Sequence, residues 1–251
     1  MKQRSARWRR YWERACLAAA VLVLPLYACA GEFGGSVGAT TDYVYRGLSQ
    51  SHGDPAIQGD VHYRGTRRWV VGAWASSVDF DNSSRGSAEV DLYAGWDWSL
   101  DKDWDARVGL THYFYPDANA QLSYDYDEVT GSLTWQSRIS VTVAWSPNVT
   151  RRTAGTARLP QGWLAKHEQA TSYELSASQP LPWHLSAVAG VGYYDLPNVL
   201  RADYVFWNAG FSFAVGRAQV GLMYIATDDV AKRSFGYAAQ DGFSGSFSWR
   251  F

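Results

Sequence analysis

The sequence predicts an all-β protein, a single antiparallel transmembrane β-barrel of about 12 strands with short periplasmic turns and longer extracellular loops. Three features carry that expectation. The composition is aromatic-rich, with 13 Trp, 16 Tyr and 10 Phe against 2 Met and 2 Cys among 251 residues. Apolar and polar residues alternate with a period of two, which sends successive side chains to opposite faces of a strand. The connections between alternating segments switch between short and long, as they do when turns lie on one side of a membrane and loops on the other.

The first 30 residues read as an export signal. Lys2, Arg4, Arg7, Arg9, Arg10 and Arg14 precede an apolar run from Ala15 to Leu26, and Ala28-Cys29-Ala30 supplies a small-residue cleavage site. A membrane-anchor helix fits less well, because the run is short and Pro25 interrupts it. Lipid attachment at Cys29 is disfavoured by the bulky Tyr27, and the residues flanking Arg9-Arg10 do not suit twin-arginine export. The expected organisation is a cleaved signal peptide over 1–30 and a barrel domain over 31–251. Removing six basic and one acidic residue from totals of 23 and 24 leaves 17 and 23, and both cysteines, Cys16 and Cys29, depart with the signal. No disulfide, thiolate or cysteine metal site is then available.

Composition also excludes classes. No apolar run beyond residue 30 reaches the roughly 18 to 20 residues of a membrane-spanning helix. A net charge of -1 leaves no basic surplus for nucleic acid. A soluble sandwich or lipocalin-like barrel also alternates, but it seldom uses so many Trp and Tyr or ends on an aromatic strand.

The clearest alternation runs from Ala88 to Trp98. Val90, Leu92, Ala94, Trp96 and Trp98 share one face, and Glu89, Asp91, Tyr93, Gly95 and Asp97 share the other. Ile57, Gly59, Val61 and Tyr63 alternate likewise with Gln58, Asp60, His62 and Arg64. Continuing in this way places strands at 36–46, 56–64, 69–79, 88–98, 105–115 and 125–135, then at 139–145, 172–179, 185–194, 203–215, 220–228 and 241–251. An even number returns the chain to its starting side. Tyr43, Tyr45, Trp69, Trp98, Trp104, Tyr113, Tyr115 and Trp145 are expected in two interfacial girdles. The last strand places Phe243, Phe247, Trp249 and the terminal Phe251 on one face, like the C-terminal signature that the outer-membrane barrel assembly machinery recognises.

The stretch from Thr40 to Tyr63, TTDYVYRGLSQSHGDPAIQGDVHY, resembles the opening of the TorF-family porins, with a T-D-Y-x-x-R-G-x-S-Q-S block and a P-A-x-Q-G strand. The matching residues are Thr41, Asp42, Tyr43, Arg46, Gly47, Ser49, Gln50 and Ser51, then Pro55, Ala56, Gln58 and Gly59. Glu89 to Gly95, Gly190 to Tyr193 and Thr227-Asp228 look like later landmarks of that family. The resemblance implies passive diffusion of small hydrophilic solutes through an outer-membrane pore; it supplies no catalytic residues and no substrate. The 146–171 loop, with Arg151, Arg152, Arg158 and Lys166, is longer than the family pattern and reads as an insertion.

On this reading Asp42, Arg46, Asp60, His62, Arg64, Glu89, Asp91, Asp97, Arg107, Glu128 and Glu174 face the lumen. They either contact permeating solute or pair with one another to stabilise the barrel, since charges in a narrow lumen must be hydrated or paired. With Asp105 and Arg250 added, eight acidic side chains stand against four basic ones, which predicts weak cation preference. Twelve strands predict a narrow pore, between a side-chain-filled 8-stranded barrel and an open 16-stranded one. Asp60 and His62 lack a third ligand, and His52 with Asp54 does too, so neither metal nor other cofactor is expected. The rivals are a barrel enzyme acting on lipid through Ser and one of His62, His112 or His184, and a closed barrel serving as an adhesin or assembly partner. Gly242-Phe243-Ser244-Gly245-Ser246 sits on a strand, so it does not make a nucleophile elbow, and no Ser is matched to a particular His.

Overall fold

The computed structural model describes residues 31–79, 87–116, 125–150, 167–196 and 203–251. The predicted signal peptide at 1–30, and Arg151, Arg152, Arg158 and Lys166, lie outside the described residues. The wall begins with β1 (Glu32–Thr40), and a short inner hairpin, β2 (Val44–Tyr45) and β3 (Leu48–Ser49), precedes the return to the wall. The wall continues through β4 (Ala56–Arg64), β5 (Trp69–Val78), β6 (Ser87–Ser99), β7 (Trp104–Phe114), β8 (Tyr126–Trp135) and β9 (Ile139–Thr150). It ends with β10 (His167–Pro180), β11 (Leu185–Asp195), β12 (Tyr204–Val215), β13 (Ala218–Thr227) and β14 (Gly242–Arg250).

These twelve wall strands form one closed antiparallel barrel, in which β1 pairs with both β4 and β14. At the seam Gly35 and Phe251 exchange both backbone hydrogen bonds, at 3.1 and 3.0 Å. Closure pairs each of the twelve wall strands on both sides, which hydrocarbon requires because it offers the backbone no partner.

The alternation explains the wall. Val37, Ile57, Val61, Leu92, Trp96, Val108, Leu110, Val141, Leu175, Phe211 and Leu222 are exposed on the outside, and Glu89, Asp91 and Glu128, at the opposite parity, are buried within. A polar cluster at the wall breaks the rule: His112 Nδ1 lies 2.8 Å from Asp127 Oδ1, and Asn148 Nδ2 donates to Asp127 Oδ2 at 2.9 Å. This cluster lies at the loop-side ends of β7, β8 and β9, where a charged side chain costs about 0–1 kcal/mol.

Four sequence expectations change. The first strand ends at Thr40 rather than Arg46, and the next 15 residues turn inward before β4 begins at Ala56. β9 and β10 are longer than predicted and take residues 146–150 and 167–171 from the expected loop; a bulge between Glu168 and Ala170 hides the alternation there. The 229–240 connection holds a helix, α1 (Asp229–Phe235), continued by a 3-10 turn at Gly236–Ala239; Asp228 caps it by accepting from the Ala231 N–H. Finally, Trp98, Trp104 and Trp145 are outward and exposed, whereas Tyr113 and Tyr115 are buried and Tyr43 and Tyr45 belong to the inward segment. In β7, Tyr113 shares the inward parity of Arg107, so a strand-end aromatic alone does not identify a girdle residue.

Candidate functional site

Residues 41–55 cross the interior at the long-loop end. Arg46 (φ 48°) and Gly47 (φ 78°) form the two-residue tip of the inner hairpin, the left-handed pairing that a tight hairpin turn requires. A Cβ on Gly47 would lie 2.6 Å from Thr227 Cγ2 and 2.7 Å from Phe206 Cβ. Asp42 organises the base of the segment by accepting from Ser49 Oγ at 2.6 Å and Ser51 Oγ at 3.0 Å. Gln50 takes a hydrogen bond from the Asp79 N–H through its carbonyl, and the Tyr204 hydroxyl donates to the Arg46 carbonyl at 2.9 Å.

The hairpin tip spans to the far wall. Arg46 Nη1 donates to Glu128 Oε2 on β8 at 2.7 Å, and its Nε donates to Glu174 Oε1 on β10 at 3.0 Å. Its guanidinium lies 4.7 Å from the Tyr45 ring centroid and 4.9 Å from that of Tyr194. Tyr43 donates to Glu89 at 3.1 Å, and Tyr113 to Glu128 at 3.3 Å. On the other side Leu48 packs against a small apolar core of Ala170, Leu196, Tyr204, Phe206, Ala231 and Ala239, which ties the hairpin to α1. His52 stacks on Tyr237 beyond α1, with centroids 4.7 Å apart.

Below this chamber is a polar waist. Asp60 accepts from the Tyr93 hydroxyl at 2.5 Å and lies 2.6 Å from His62 Nδ1. The Nδ1 atoms of His62 and His112 thus each lie against a carboxylate, Asp60 and Asp127. Toward the short turns, a cavity of about 550 Å³ is lined by Arg64, Arg68, Asp97, Asp105, Arg107 and hydroxyls of Ser132, Thr134 and Ser140. Asp97 is bridged by Arg64 at 2.8 Å and Arg107 at 2.7 Å.

The predicted residues therefore fall into three levels. Asp42, Arg46, Glu89, Asp91, Glu128 and Glu174 gather at the long-loop end, Asp60 and His62 at the waist, and Arg64, Asp97 and Arg107 at the short-turn end. Sequence reasoning missed Arg68, whose place in a turn (φ 64°) gives no strand parity to read. It also missed the tyrosines that line the acidic level. The eight-to-four acidic excess is not uniform: acid collects at one end and arginine at the other. Phe243, Phe247, Trp249 and Phe251 are all exposed on the outer face.

Fold and interior together define a barrel of outer-membrane type whose lumen is partly filled by its own chain. The protein belongs to the family described as a bacterial protein of unknown function (Gcw_chp), whose model matches residues 28–250. No curated protein matches the sequence. Among solved structures it is similar to the KdgM porin, with a TM-score of 0.52 at 6% identity, covering 87% of this chain and 99% of that one. It is also similar to the NanC porin, with a TM-score of 0.51 at 12% identity, covering 86% and 98%. Identities this low establish a shared fold.

Proposed function

We propose that the protein is a non-enzymatic outer-membrane channel of TorF type, through which small hydrophilic solutes diffuse passively. The observation that carries this reading is the partition of the wall, apolar toward lipid and charged within, around a cavity of about 550 Å³. An adhesin would need neither the polar waist nor the arginine-lined cavity. The KdgM and NanC porins share the fold, and the resemblance of the T-D-Y-x-x-R-G-x-S-Q-S block to the TorF opening supports the TorF assignment. Residues 1–30 direct export and are removed, and the aromatic face of β14 with Phe251 addresses the chain to the barrel assembly machinery.

Segment 41–55 lies across the path at the acidic level, where Arg46 reaches Glu128 and Glu174. Solutes passing it meet Glu89, Asp91, Glu128 and Glu174, then Asp60 and His62, then Arg64, Asp97 and Arg107. Liposome swelling with purified protein tests the function: small sugars should enter and larger oligosaccharides should not. Exclusion of the smallest sugars by folded protein would refute it.

A further inference from the structure

The acidic level is built for a guanidinium. Arg46 occupies a slot walled by the rings of Tyr45 and Tyr194 and closed by Glu128 and Glu174. Several carboxyl groups gather around this one guanidinium. Glu89 is 2% exposed, Glu128 2% and Asp91 9%, and Arg46 is the basic side chain that pairs with Glu128 and Glu174 among the described residues. Asp91 is the telling member. It sits on the inward face of β6 between Trp74 of β5 and Tyr113 of β7, with Glu89 and Glu128 as its charged neighbours. Among the described residues its Oδ1 is buried without a hydrogen-bond partner. A buried acceptor left unmade costs far more than one that is paired, so it marks a place where a donor is missing.

The missing donor is not a metal ion, because among the described residues no three acidic or imidazole groups converge closely enough to hold one. The walls instead offer aromatic faces, Tyr43 against Trp74 and Tyr113 against Tyr126, together with planar carboxylates. That chemistry suits a flat or compact organic cation, which gains charge-assisted hydrogen bonds and ring contacts together.

Building on the channel reading, we propose that this level binds an organic cation of the guanidinium or amine class, which engages Asp91 and competes with Arg46 for Glu128 and Glu174. The bound cation replaces the hold of Arg46 on the far wall, so binding and loosening of segment 41–55 are one event. Solutes of this class are thereby favoured over neutral or anionic ones of equal size.

The test is binding of ethylguanidinium to the full-length protein in detergent micelles, followed by calorimetry, with ethanesulfonate as the anion of matched size. Because it reads binding without conductance, its outcome is separate from that of the channel reading. Saturable binding of ethylguanidinium alone is expected, weakened about tenfold or more in Asp91→Asn, since a hydrogen bond to a charged group is lost. Glu174→Gln serves as the second variant and should weaken binding too. Folding of each variant is checked by heat-modifiable migration. No saturable binding, equal binding of the anion, or binding unchanged in both folded variants would overturn the proposal.

Discussion

Arg46 and Glu128 form a 2.7 Å ion pair between the tip of the inner hairpin and the opposite wall, with side-chain exposures of only 6% and 3%. Desolvation makes such a pair a weak source of net stability, but removing one partner strands a buried charge and costs about 3–5 kcal/mol. Arg46→Met should therefore release segment 41–55 while the closed wall persists. Faster amide exchange confined to residues 41–55, with heat-modifiable migration retained, is the expected result.

Gly47 gives a steric test of the same hairpin. Gly47→Ala adds a methyl against Thr227 and Phe206 at a positive φ, at a cost of roughly 1–3 kcal/mol. Gly131 has open space around its Cβ position, and Gly131→Ala should be near neutral. Thermal unfolding of the two variants, side by side, checks the difference.

The wall was legible in the sequence because lipid enforces strict parity: residues such as Leu92 and Trp96 must face out, and Glu89 and Asp91 then face in. The inward segment was not. Val44 and Tyr45 extend the alternation of β1, so periodicity alone continues the strand through Arg46. Turn chemistry at Asp42, Gly47, Gly53 and Pro55 was the available signal. Which wall Arg46 reaches is a matter of closure across 82 and 128 positions of sequence, which no local pattern encodes.

Phe251 joins the seam through its two hydrogen bonds to Gly35, and its ring comes within 2.8 Å of where a Cβ on Gly35 would be. Deleting it removes both the seam contact and the terminal aromatic of the assembly face. A smaller amount of heat-modifiable protein in the membrane fraction is expected, and unchanged assembly at ordinary expression would count against a role in assembly.

Lys232 donates to Asp241 at 2.8 Å across the loop that holds α1, and this hydrogen bond holds the Asp241 carboxyl below its ordinary value. A depressed carboxylate contributes stability above its unfolded value of about 3.9 and loses it as pH falls through the folded one. Exchange at the α1 amides should quicken below about pH 4, and high salt should blunt the effect because the pair is exposed. Lys232→Met should remove most of that pH dependence.

Reversal potential across a planar bilayer in a salt gradient tests the central account most directly. Segment 41–55 crosses the level that carries Glu89, Asp91, Glu128 and Glu174 against Arg46, and the short-turn end carries Arg64 and Arg107, so on the proposed reading the acidic level governs passage. The account predicts small stepwise conductance with a weak cation preference that strengthens at low salt. A clear anion preference, or no conductance from folded protein, would contradict it.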